Sequence, residues 1–115
     1  MNFLFLLILD EYSPFFTLSG DCTQYYDCVF SRNHPENYGN EESCEITVNR
    51  DSYIWLDGIF GIERCCDYLV VGGINVEYAE NLPQTIMQGE KITWNSDGSV
   101  NFNGWKICFE NSAII

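Results

Sequence analysis

Apolar residues along this chain come in short runs rather than in helical stripes. Residues 27–30, 45–48, 53–60, 68–71, 91–94 and 105–109 are rich in aromatic and β-branched side chains and are bounded by Gly, Asn, Asp or Pro, the signature of strands that end in turns. None sustains a helical period. Short strands at this spacing predict an all-β sandwich or barrel rather than alternating βα units. Residues 92–94 and 105–107 flank a loop of Asn, Ser, Asp and Gly, which predicts a hairpin with one acid, Asp97, in its loop.

The N-terminus departs from this pattern. Phe3 to Leu9 is an uninterrupted apolar run, at the lower limit of a signal-peptide core and far too short to span a bilayer. No Lys or Arg precedes it, and Asp10 and Glu11 follow it. A signal peptide, a fragment edge and a buried strand all remain open readings. The chain therefore divides into an apolar segment at 1–20, a folded domain at 21–110 and a short tail at 111–115. No other stretch is long enough for a transmembrane anchor.

At 115 residues the chain makes one domain, small enough that cross-links would add substantially to a modest core. Its six cysteines, Cys22, Cys28, Cys44, Cys65, Cys66 and Cys108, form an even set, which predicts a disulfide framework and an oxidising compartment. Structural zinc is disfavoured: there is no C-x-x-C, and the single histidine, His34, has no cysteine at ligand spacing. Seventeen acids against five bases give a formal charge of -12. That field repels phosphate backbones and anionic lipid and attracts cations, either metal ions or a partner's lysines and arginines. For most of the acids solubility is reason enough.

Several motifs narrow the picture. The order W-x-S-D-x-S-V from Trp94 to Val100, followed by Gly104-Trp105-Lys106-Ile107-Cys108, resembles the closing hairpin of CUB domains. Residues 31–38, SRNHPENY, followed by Cys44, are similar to that family's S-P-N-Y-P-x-x-Y run, with His34 where an aromatic is usual. Phe60-Gly61-Ile62-Glu63 and Cys66-Asp67-Tyr68-Leu69 resemble its F-x-L-E and C-x-Y-D-Y-L segments. The resemblance covers about residues 22 to 110. It implies an extracellular, disulfide-stapled sandwich of two antiparallel sheets that acts as a binding module. It gives His34 a packing role in a Pro-containing turn.

The cysteine pattern departs from the family's. Cys22 to Cys44 fits its first pair, but Cys28 and Cys108 are extra and Cys65 and Cys66 are adjacent. Neighbours in a strand point to opposite faces, so Cys65 and Cys66 are expected to join different partners rather than each other. In the family's sandwich the last strand lies beside the strand opened by the third cysteine. That implies a bridge from Cys108 to one member of the doublet, with Cys28 joined to the other.

The resemblance also implies chemistry. In calcium-binding CUB domains the acids of these motifs converge on one ion, and here those positions hold Glu63, Asp67 and Asp97. The Ser99 carbonyl would add a ligand, Tyr26 stands where a supporting tyrosine is common, and Val100 replaces a ligating Asn, leaving water or Asn101 to supply that oxygen. Converging carboxylates repel unless protons or a cation intervene, and calcium, with about 6 to 8 oxygen ligands, answers that need outside the cell. Each acid also has a plainer reading: a turn for Asp97-Gly98, a solvated charge for Glu63, a strand-start acceptor for Asp67. The leading expectation is a calcium-dependent recognition or adhesion module that contacts a basic residue of a partner protein. A metal-free structural domain is the alternative. A secreted hydrolase using Glu63 and Asp67 as acid and base is a weaker one, since the chain has no G-x-S-x-G and no H-E-x-x-H.

Overall fold

The computed structural model of the chain describes residues 13–112. Ten strands, β1 (Phe16–Gly20), β2 (Thr23–Tyr25), β3 (Cys28–Phe30), β4 (Ser43–Val48), β5 (Ser52–Leu56), β6 (Tyr68–Val71), β7 (Ile74–Asn75), β8 (Thr85–Ile86), β9 (Lys91–Asn95) and β10 (Lys106–Asn111), form two five-stranded sheets. One sheet runs β1-β4-β9-β6-β7 and the other β2-β3-β10-β5-β8. Every strand pairing is antiparallel. A short 3-10 turn spans Ala79–Asn81, and the described residues contain no α-helix. The fold is an all-β antiparallel sandwich.

Period-two burial explains how the sheets pack. In β4, Cys44, Ile46 and Val48 face inward while Ser43, Glu45 and Thr47 face out; in β9, Ile92 and Trp94 do the same against Lys91, Thr93 and Asn95. Leu69 and Val71 of β6 complete that inner face, and Val29, Ile54, Ile86, Ile107 and Phe109 supply the opposing one. Aromatic contacts tie the layers: Phe16 meets Phe109 with centroids 4.7 Å apart, and Trp94 lies between Tyr38 at 4.8 Å and Trp105 at 6.0 Å.

Two features depart from the sequence reading. The runs containing Trp94 and Trp105 do not form a hairpin: β9 pairs with β4 and β6, whereas β10 pairs with β3 and β5. The loop between them crosses from one sheet to the other, because both tryptophans are fully buried and each fills the core from its own side. The folded unit also begins before residue 21, since Phe16–Gly20 is a strand paired along its whole length with β4 and Phe16 is buried. The apolar run at 3–9 and the tail at 113–115 lie outside the described residues.

All six cysteines are paired, as Cys22–Cys44, Cys28–Cys108 and Cys65–Cys66. The first bridge matches the expectation and the other two correct it. Cys28 and Cys108 sit directly opposite in the β3–β10 register, with Cα atoms 4.0 Å apart. β6, the strand that follows the doublet, belongs to the other sheet and does not lie beside β10. Cys65 and Cys66 lie in a turn before β6 rather than in a strand. The alternation that would separate their side chains therefore does not apply there.

Candidate metal centre

Strand register builds the site. In the β6–β9 pair Tyr68 faces Asn95, so the residue just before β6, Asp67, and the turn just after β9, which carries Asp97, emerge at the same end of the same sheet. The Asp97 amide donates to Asp67 Oδ1 at 2.8 Å. Glu63 joins them through the turn that precedes β6: its carbonyl accepts from the amides of Cys66 at 3.0 Å and Asp67 at 2.8 Å, which folds its side chain back toward the other two. One carboxylate oxygen from each of Glu63, Asp67 and Asp97 lies within 4.8 Å of the others. The three acids singled out in the sequence are thus brought together.

They differ in surroundings. Asp67 is buried, and Glu63 and Asp97 are half-buried. Both Asp67 oxygens are engaged, Oδ1 by the Asp97 amide and Oδ2 by the Tyr38 hydroxyl at 2.5 Å. That hydroxyl in turn accepts the Glu63 amide at 3.2 Å. Asp97 is fixed by its own loop, its Oδ1 accepting the Ser99 amide at 3.2 Å and its carbonyl accepting the Glu41 amide at 2.8 Å. Glu63 is the least satisfied. Its Oε1 is buried without a hydrogen-bond partner, as is Oδ1 of Asn101 on the Asp97 loop. Neither ion pair among the described residues, Lys91–Glu45 and Lys106–Asp57, neutralises the cluster.

Charge and burial show in the titration. Desolvation first, then the charges of Asp97 and Asp67 and a hydrogen bond with Asp97, raise the Glu63 carboxyl above the usual glutamate value. Burial first, then the bond to Asp67, push the Tyr38 phenol well above its ordinary value. Tyr38 is therefore a fixed hydrogen-bond donor at neutral pH, and Asp67 Oδ2 is its acceptor.

Tyr26 does not occupy the supporting position expected for it. It sits in the β2–β3 turn with a positive φ of 53°, edge-on to Tyr25 at 4.5 Å, at the opposite end of β3 from Ser31. Tyr38 takes that place instead. It was visible as the tyrosine closing the SRNHPENY run, but nothing in the sequence paired it with Asp67. Ser99 is exposed in the Asp97 turn, and Val100 beside it has a φ of 61°, a left-handed conformation that costs a β-branched residue strain. His34 packs as expected, its Nε2 2.7 Å from the Ile59 carbonyl and its ring 6.4 Å from Phe30. Glu42, to which the sequence drew no attention, is buried: its carboxylate accepts the Gly39 amide at 2.8 Å, its amide donates to Ser96 Oγ and its carbonyl accepts the Ser96 amide, both at 2.9 Å, pinning residues 39–42 to the loop that carries Asp97.

No protein-family model, curated protein or solved structure matches this chain.

Proposed function

We propose that the chain is an extracellular calcium-binding recognition module of the CUB type, with Glu63, Asp67 and Asp97 as carboxylate ligands and acidic loops that take up a lysine or arginine of a partner protein. The observation that carries this reading is the convergence of three carboxylate oxygens within 4.8 Å, with Glu63 Oε1 buried and unpartnered. Like charges this close need a proton or a cation between them. An all-oxygen donor set favours a hard ion, and calcium tolerates the irregular geometry of loop ligands better than magnesium does. The Ser99 carbonyl and Asn101 Oδ1 are further oxygens on the same loop, and water would complete the shell.

Three disulfides support an oxidising compartment, and among the described residues no helix is long and apolar enough to cross a membrane. Asp67, with both oxygens engaged, suits an anchor for an ion better than the acid or base of a hydrolase, which must exchange protons with substrate. The formal charge of -12 suits a basic partner. The test is a titration against an immobilised Lys-rich ectodomain, with calcium and with chelator. Binding should require calcium and weaken with added salt, because exposed charges are screened over about 8 Å at physiological ionic strength. Binding that is indifferent to chelator would leave a metal-free structural domain.

A further inference from the structure

The Cys65–Cys66 bridge is placed differently from the other two. Cys65 is the only exposed cysteine of the six, whereas Cys22, Cys44 and Cys108 are buried within the sandwich. The doublet also occupies the turn between two of the clustered acids, Glu63 and Asp67. Its two sulfurs and a Glu63 carboxylate oxygen lie within 4.8 Å of one another. A loop closed between neighbours constrains little of the chain, so opening this bridge leaves the two long-range staples, which close 22 and 80 residues, intact.

From this placement we propose that Cys65–Cys66 is a reducible pair, and that reduction creates, with Glu63, a thiolate–carboxylate site for a soft divalent cation of the zinc class. The reductant is a dithiol. Its thiolate attacks the exposed Cys65 Sγ, the bond between the cysteine sulfurs breaks, and Cys66 leaves as thiolate. The second thiol of the reductant then attacks its own sulfur in the mixed disulfide, closing the reductant's disulfide and releasing Cys65. Two electrons pass to the protein and the reductant is oxidised. On metal binding any thiol protons go to solvent. Zinc–sulfur bonds of about 2.3 Å in a tetrahedral site need sulfurs roughly 3.8 Å apart, a separation reached from the bonded pair by side-chain rotation. Glu63 supplies the third protein ligand and water the fourth.

The same carboxylate would then serve two ions of opposite character: a hard one with Asp67 and Asp97 while the bridge is closed, a soft one with Cys65 and Cys66 once it is open. This competition rests on the calcium reading above; the thiolate site does not. The experiment treats the intact protein with a mild dithiol, removes the reductant anaerobically, maps free thiols by alkylation and titrates with Co2+ followed by Zn2+. Alkylation should label Cys65 and Cys66 alone. The reduced protein should take up one Co2+ with a thiolate-to-cobalt charge-transfer band that Zn2+ bleaches, and the oxidised protein should show no band. The double variant Cys65→Ser/Cys66→Ser should lose the band and keep its calcium response, whereas Asp97→Ala should lose the calcium response and keep the band. Glu63→Gln should weaken cobalt binding with the band retained.

Prior opening of Cys22–Cys44 or Cys28–Cys108, absence of a band in the reduced wild type, or a band that survives in the double serine variant would each overturn the proposal. A wild type that shows the band but no response to calcium would refute the calcium reading and the competition while supporting the thiolate site.

Discussion

Tyr38 and Glu63 carry the sharpest expectations at the scale of single residues. The Tyr38 hydroxyl donates to the buried Asp67 and accepts the amide of the half-buried Glu63. Tyr38→Phe would leave Asp67 Oδ2 without its donor in the interior, and the loss should be about 1–3 kcal/mol in denaturant unfolding. Glu63 sets the pH dependence. Its carboxyl titrates higher in the folded chain than in the unfolded one, so between the ordinary glutamate range and that raised value the native state holds more protons. Stability of the calcium-free protein should therefore fall as pH rises through that window. A bound cation favours the carboxylate, so calcium binding should release a proton there and tighten with rising pH. Melting curves at several pH values, with and without calcium, check both signs, and Glu63→Gln should flatten them. The acids themselves were legible in the sequence because each sits in a recognisable motif. Tyr38 was not, because its partnership with Asp67 spans 29 residues of chain and only the fold creates it.

Among the elements, the six runs read from hydrophobic pattern all contain strands, with ends displaced by a few residues, because alternation in a half-buried strand is written locally. Four strands escaped that reading. β7 and β8 are only two residues long and β2 only three, and β1 carries small or polar residues on its exposed face. Which strands pair is not local information, and the tight turn chemistry between Trp94 and Trp105 pointed to a hairpin that the tryptophans, each buried from its own sheet, override. The crossing depends on Gly104. Its φ is 82°, and a Cβ there would sit 1.8 Å from Ser31 Oγ, the atom that accepts the Trp105 amide. Gly104→Ala should cost ~2–3 kcal/mol by combined backbone strain and overpacking, measured by urea unfolding. Gly73→Ala, also at positive φ but with open space around its Cβ, should cost less.

For the molecule as a whole, the cysteine count foretold a stapled sandwich, while the connectivity followed from register and from a turn that no alternation rule describes. The bridges should contribute unequally. Cys28–Cys108 closes 80 residues, and replacing both cysteines by alanine should lower stability by about 4 kcal/mol on a loop-entropy basis. Cys65→Ser/Cys66→Ser should change it little. Thermal melts of the two double variants beside wild type check the ordering, and equal losses would show that the doublet stabilises the fold in some way other than loop closure.

Calcium titration by calorimetry on wild type, Asp97→Ala and Asp57→Ala reads the metal centre most directly. Asp57 is an exposed acid paired with Lys106 at 3.3 Å and outside the cluster, so it controls for charge alone. Wild type and Asp57→Ala should each bind one calcium ion, with a gain on the order of 1.4 kcal/mol in stability at tenfold the Kd and a weaker response to magnesium. Asp97→Ala should bind none, because Glu63 and Asp67 alone provide too few ligands. No heat of binding in wild type, or an Asp97→Ala titration that superimposes on that of Asp57→Ala, would contradict the assignment of Glu63, Asp67 and Asp97 as a calcium site.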